Sequence, residues 1–146
     1  MSEFHRLTDT VWASPQITPA DVSEAKAQGF TMLINNRPDE EEDDQPEGAD
    51  IAKAAEELGL DYVSIPVSHT GFSEPQIVAM VEALDKAQGK VLAFCRSGTR
   101  STLLWALAQA SKGEDPASLA ATAQAAGYNL SPIAPTLDML SAKARE

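Results

Sequence analysis

Val91-Leu92-Ala93-Phe94-Cys95-Arg96-Ser97-Gly98-Thr99-Arg100-Ser101 decides how the rest of the chain is read, and it falls into three parts. Residues 91–94 are an apolar run of strand length. Residues 96–98 are a loop of small and basic residues. From Thr99 the pattern is helical, continuing through Thr102-Leu103-Leu104-Trp105-Ala106-Leu107 to about Ser111. A strand, a short loop and a helix form an anion cradle, because loop amides and the helix N-terminus converge on one spot. Cys95 is the only cysteine among 146 residues, and it stands at the mouth of that cradle. A helix N-terminus and neighbouring arginines favour thiolate over thiol. Arg100, five residues further on, is able to grip a tetrahedral oxyanion with two N–H groups. Nucleophile and oxyanion clamp together suffice for covalent group transfer. The plainer reading of Cys95 is a small buried hydrophobe. That reading explains neither the two arginines nor Ser97, Gly98 and Thr99, which are poor core fillers and good residues for close backbone approach.

Outward from this stretch, strands and helices alternate. Segments 4–7 and 11–13 read as an opening strand pair. Thr18-Pro19 starts a helix that runs to Gln28 and stops at Gly29. Residues 31–35 form a strand, 49–58 a helix with Ile51, Ala54, Ala55 and Leu58 on one face, and 61–67 a further strand. Ser73-Glu74-Pro75 opens a helix to about Gln88. Two more helices follow the cysteine unit, at 116–126 and 135–144. This order predicts a single α/β domain over 1–146: a mostly parallel sheet of four to five strands with helices on both faces. Right-handed crossovers then gather the strands' carboxyl ends at one rim, where Arg37, His69 and Cys95 are expected to meet. Leu104 and Trp105 read as core, and Trp12 as a strand core residue. Asn35 and Asn36 are expected to pin loops through side-chain bonds to backbone. His5 shows no partner in the sequence and carries no role.

The bulk properties narrow the function. Hydrophobic residues make up 43% and charged residues 23%, the balance of an ordinary soluble domain. The net charge of −11, from 11 Lys+Arg against 22 Asp+Glu, opposes binding to nucleic acid or an anionic membrane. No apolar run approaches the ~20 residues a membrane span needs, and the first residues lack the apolar core of a signal peptide. A lone cysteine excludes an internal disulfide, and its thiol chemistry suits a reducing compartment, which places the protein in the cytoplasm. The acidic run at 39–44 reads as a solvated, mobile loop: its acids are contiguous and lack a calcium-loop glycine. With no ligand spacing and no dinucleotide fingerprint, neither metal nor cofactor is expected.

Three segments carry a family resemblance. Gly29-Phe30-Thr31-Met32-Leu33-Ile34-Asn35-Asn36-Arg37-Pro38-Asp39-Glu40-Glu41, Tyr62-Val63-Ser64-Ile65-Pro66-Val67 and the loop from Cys95 to Ser101 resemble the bacterial beta-lactamase-hydrolase-like phosphatases. These are relatives of the dual-specificity protein phosphatases, and the resemblance covers nearly the whole chain. It implies a dual-specificity-phosphatase-like architecture. It also implies hydrolysis of phosphomonoesters, phosphotyrosine-like or small aryl phosphates, through a phosphocysteine on Cys95. Phosphorylated small molecules or phosphoproteins are the partners it implies; oligomeric state stays open. In that reading Arg100 and the amides of Arg96, Ser97, Gly98 and Thr99 hold the phosphoryl oxygens. Ser101 Oγ donates to the sulfur, and His69 protonates the leaving oxygen, with Glu74 a weaker candidate. Arg37 either contacts substrate or pairs with the adjacent acidic run.

The chain also departs from the phosphatase pattern. Tyrosine phosphatases typically place five residues between cysteine and arginine, and here there are four. The loop after the strand at 61–67 offers Ser68, His69, Thr70 and Glu74, and no aspartate. The segment Cys95 to Ser101 resembles, in length too, the active loop of rhodanese. That likeness implies a sulfurtransferase carrying a persulfide on Cys95. A third reading is a redox sensor or anion binder without turnover.

Overall fold

The strand that leads to Cys95 lies at the middle of the sheet. A computed structural model describes residues 3–68 and 71–146. In it β5 (Lys90–Phe94) is flanked by β2 (Val11–Ser14) and β3 (Phe30–Asn35), both parallel to it. Outside these lie β1 (His5–Arg6), antiparallel to β2, and β4 (Asp61–Ser64), parallel to β3. The order is β1-β2-β5-β3-β4, five strands as the sequence predicts. The expected strand over 61–67 stops at Ser64. Pro66 has no N–H and cannot continue the ladder. The chain nonetheless stays beside β3: Ile65 and Val67 donate to the carbonyls of Asn35 and Asn36, both at 2.9 Å.

Side-chain alternation builds two cores. Val91 and Ala93 face one side of the sheet, Leu92 and Phe94 the other. β3 keeps the same division only through a bulge between Phe30 and Met32, which sets Phe30 with Leu33 and Met32 with Ile34. On one face pack α1 (Pro19–Ala27) and α2 (Gly48–Glu57). On the other pack α3 (Glu74–Lys86), α4 (Thr99–Ser111), α5 (Pro116–Ala125) and α6 (Ala134–Ala144). The helix starts follow local chemistry. Thr18 with Asp21 and Ser73 with Gln76 form capping boxes, and Asp115 caps α5 ahead of Pro116. A short 3-10 turn, Ser131–Ile133, leads into α6.

α4 has no polar face over its middle: Ser101 to Ala108 and Ala110 are all buried. It runs through the larger core, between the sheet and the other helices on that face. Leu104 and Trp105 are core residues, as expected. Trp12 is half-buried and packs edge-on against Phe30, with Lys90 Nζ over its ring. Among the described residues no helix is long and apolar enough to cross a membrane.

Candidate active site

Parallel pairing puts Ser14, Phe94, Asn35 and Ser64 in register at one rim, so each following segment emerges there. The next residues interlock. Cys95 N–H donates to the Ser14 carbonyl at 3.3 Å, and Gln16 N–H to the Arg96 carbonyl at 3.2 Å. Asn36 is fully buried; its backbone N–H donates to the Phe94 carbonyl at 2.8 Å and its Nδ2 to the Ile65 carbonyl at 3.0 Å. Asn35 Oδ1 accepts from the Arg37 N–H at 2.9 Å, and its Nδ2 donates to Tyr62 Oη. The two asparagines pin the rim loops to backbone, as their positions suggest.

Cys95 is 0% exposed and counts among the buried apolar residues, although it packs into neither of the two hydrophobic clusters. Its sulfur accepts the Gly98 N–H at 3.1 Å, at the floor of the loop. Gly98 makes that geometry possible. Its φ of +93° is left-handed, and it opens α4 as the residue before Thr99. The Thr99 N–H is turned to Ser97 Oγ at 3.3 Å, and Ser97 Oγ donates to Thr99 Oγ1. Thr102 fastens the start of α4 by bonding the Gly98 carbonyl through both its N–H and its hydroxyl.

Arg100 points back over the loop. Its Nη1 donates to the Val67 carbonyl at 2.6 Å and to Glu41 Oε2 at 2.7 Å, and its Nη2 to Glu41 Oε1 at 2.9 Å. The Glu41 hydrogen bond raises the Arg100 pKa above the ordinary guanidinium value, with the Cys95 sulfur adding to the effect. The same bond, assisted by Arg37, lowers the Glu41 carboxyl from 4.5 to about 2. Glu41 therefore stays charged at any ordinary pH.

The acidic run is exposed, as expected, yet two of its carboxylates, Glu41 and Glu42, reach back to the site. Arg37, 4% exposed, donates from Nε to Glu41 at 2.9 Å, from Nη2 to Glu42 at 2.8 Å and from Nη1 to Gln16 at 3.1 Å. This realises the pairing alternative for Arg37, whose three nitrogens all hold protein partners. Arg96 Nε pairs with Glu42 at 2.9 Å, its side chain 68% exposed. Gln45 ties the turn together by accepting from the N–H groups of Glu41 and Glu42 and donating to the Pro38 carbonyl. Asp39 accepts the Gly48 N–H at the start of α2. The run is solvent-exposed along its whole length, as expected, but Glu41 and Glu42 are held in place because the sheet brings three arginines to this turn. The four-residue spacing from Arg37 to Glu41 was the available signal.

Ser101 Oγ is buried and makes no hydrogen bond among the described residues, so the expected donation to the Cys95 sulfur is absent in this state. His69 lies outside the described residues. One residue without a signal in the sequence also reaches the loop, with a second behind it. Tyr128 Oη donates to the Ser97 carbonyl at 3.2 Å and lies 2.7 Å from His5 Nδ1. Burial, followed by the charge of Cys95, raises the Tyr128 hydroxyl to about 12.

A parallel sheet whose central strand delivers a cysteine into a loop closed by an arginine one turn into the next helix defines a class. It is the fold of the protein tyrosine and dual-specificity phosphatases. The chain shares that fold with Tk-PTP in its active form, at a TM-score of 0.74 over 97% of both chains and 17% identity. Within the class the chain belongs to the family described as beta-lactamase hydrolase-like protein, phosphatase-like domain, which matches residues 3–112. It is 38% identical over 108 residues to a beta-lactamase hydrolase-like protein of Agrobacterium fabrum, covering 74% of this chain and 25% of that one. The chain thus spans about a quarter of that curated relative's length. A candidate phosphatase of Neisseria meningitidis Z2491 superposes with a TM-score of 0.84 and 33% identity, over 96% of this chain and 99% of that one. A DUF442 protein of Shewanella putrefaciens CN-32 superposes at 0.77 with 26% identity, over 99% and 94%.

Proposed function

We propose that this protein is a cysteine-dependent phosphatase acting on aryl or tyrosyl phosphomonoesters. The observation that carries the reading is the Gly98 N–H aimed at the Cys95 sulfur, in a loop over which Arg100 is folded. A thiolate is the nucleophile in such chemistry, and preorganised N–H groups stabilise the charge that develops on phosphoryl oxygens. Membership of a phosphatase-like family supports it. So does a cysteine-to-serine form of P. aeruginosa TpbA, a protein of the same fold, solved in complex with phosphotyrosine.

In this mechanism the Cys95 sulfur attacks phosphorus in line with the ester oxygen. The S–P bond forms as the P–O bond breaks, and the leaving oxygen takes a proton. His69 is the proposed donor and Arg100 the clamp on the equatorial oxygens, with the loop amides of residues 96–99 beside it. Water then attacks phosphorus and gives its proton back to that base. The S–P bond breaks, and phosphate and thiolate are regenerated. Glu41 holds both terminal nitrogens of Arg100, so the phosphoryl group must take that fork from it. A reducing compartment keeps the thiol competent.

The test is incubation with p-nitrophenyl phosphate and, separately, with thiosulfate plus cyanide, reading the mass added to Cys95. The expected result is nitrophenol release with a transient phosphoryl adduct, and a loss of roughly a thousandfold or more in kcat for Cys95→Ser. A sulfur adduct with thiocyanate formation and no nitrophenol would replace this reading by sulfur transfer.

A further inference from the structure

The Ser97–Gly98 peptide is held at both ends. Its N–H donates to the Cys95 sulfur at 3.1 Å, and its carbonyl accepts from the Tyr128 hydroxyl at 3.2 Å. The Tyr128 oxygen lies 2.7 Å from His5 Nδ1. A hydroxyl that gives its proton to Ser97 must receive one from the histidine, which assigns the hydrogen to Nδ1. The four groups form one directed chain from imidazole to hydroxyl to peptide to sulfur. Hydrogen bonds in such a chain polarise one another, so a peptide whose carbonyl accepts is a better donor at its N–H.

We propose that Tyr128 is a positioning residue for Cys95: it aims and polarises the Ser97–Gly98 peptide so that its N–H faces the sulfur, and His5 sets the direction of the Tyr128 hydroxyl. The packing at Gly98 supports this independently. A Cβ there would collide with the Tyr128 hydroxyl and stand 3.3 Å from the Ser14 carbonyl carbon. The tyrosine therefore presses directly on the residue whose left-handed φ turns the N–H inward. Without the hydroxyl, the peptide loses both its acceptor's partner and the contact that opposes rotation. Tyr128 keeps its proton throughout, its pKa being raised by burial to about 12. The two residues come from opposite ends of the chain. Tyr128 follows α5, and His5 sits in β1.

Cys95 and Arg100 face this peptide from its own loop and helix. Glu41 lies beyond Arg100, and Glu42 holds Arg96 outward. Behind it stand Tyr128, His5 and Glu3, the last acting on Tyr128 by charge. Tyr128→Phe removes the proposed donor and leaves that set of charges in place.

The kinetic readout rests on the phosphatase reading of Cys95, whereas the alkylation readout does not. A hydrogen bond to the charged form of a group favours that form. In Tyr128→Phe, alkylation of Cys95 by iodoacetamide at about pH 6 is expected to slow about tenfold, with the difference closing as pH rises. The acidic limb of kcat/KM for p-nitrophenyl phosphate moves up by about one pH unit in step. His5→Ala shifts the alkylation profile the same way by less, and His5→Asn, whose amide N–H replaces Nδ1–H, restores it. Superimposable alkylation profiles for wild type and Tyr128→Phe overturn the proposal, even if the variant melts earlier. Should Tyr128→Phe not fold, identical profiles for His5→Ala and His5→Asn overturn it instead. A shifted alkylation profile in a protein that hydrolyses no phosphate ester sustains this inference and defeats the phosphatase reading.

Discussion

Glu41 occupies the guanidinium fork that the proposed mechanism assigns to a phosphoryl group, so in that mechanism a single carboxylate links stability to ligand binding. Its folded-state pKa of about 2 lies below the ordinary 4.5, chiefly because Arg100 hydrogen-bonds it. A depressed carboxylate contributes stability that is fully present above 4.5 and is lost as pH falls towards 2. Glu41→Gln is therefore expected to melt earlier at neutral pH and to show a flatter dependence of Tm on pH across that acidic window. The same variant removes an internal competitor. Inorganic phosphate is expected to inhibit it several-fold more tightly, read as Ki against p-nitrophenyl phosphate. An unchanged or weaker Ki would mean that Glu41 only orients Arg100. Arg37 keeps Glu42 and Gln16 in that variant, so its buried guanidinium is not left bare.

At the scale of elements, α4 joins the core to the chemistry. Its first turn carries Arg100 and Ser101, and its middle is enclosed on every side. It begins at Gly98, which has no side chain to cap it, and Ser97 Oγ takes the Thr99 N–H in its place. Truncating Leu104, fully buried in this helix, leaves a cavity beside the sheet. Leu104→Ala is expected to cost about 3 kcal/mol in urea unfolding, within the range for buried leucines. A loss below about 1 kcal/mol would show that the helix relaxes to fill the space. The turn after β3 is the other decisive element. It reads as six consecutive acids, and its conformation is set by Gln45, by the N–H of Gly48 and by three arginines. Its propensity is that of an unstructured stretch. Two of its partners, Arg96 and Arg100, follow β5 and come near only through the sheet.

Across the molecule, a net charge of −11 surrounds a site whose arginines are already paired. A dianionic substrate approaches against the mean field, and screening weakens that repulsion over roughly 10 Å at 0.1 M salt. Raising ionic strength from low salt to about 0.15 M is expected to increase kcat/KM for p-nitrophenyl phosphate by roughly two- to threefold. A decrease with salt would instead reveal net attraction by Arg96 and Arg100, with the carboxylates displaced before substrate arrives. Stopped-flow or steady-state rates at constant pH distinguish the two.

The alternation of strands and helices, the parallel sheet, the burial of Leu104 and Trp105 and the loop that follows Cys95 are written in local pattern. Hydrophobic period and turn chemistry act over a few residues, and those can be read along the chain. The asparagine pins were legible for the same reason, since Asn35 and Asn36 bond within or beside their own rim. What joins Glu41 to Arg100, Glu42 to Arg96, and His5 through Tyr128 to the Ser97 carbonyl was decided by tertiary structure alone. These contacts cross 59, 54, 123 and 31 positions of sequence, respectively. Their chemistry is short-ranged, whereas the proximity on which it depends comes from the order of strands in the sheet and the return of the helices across it.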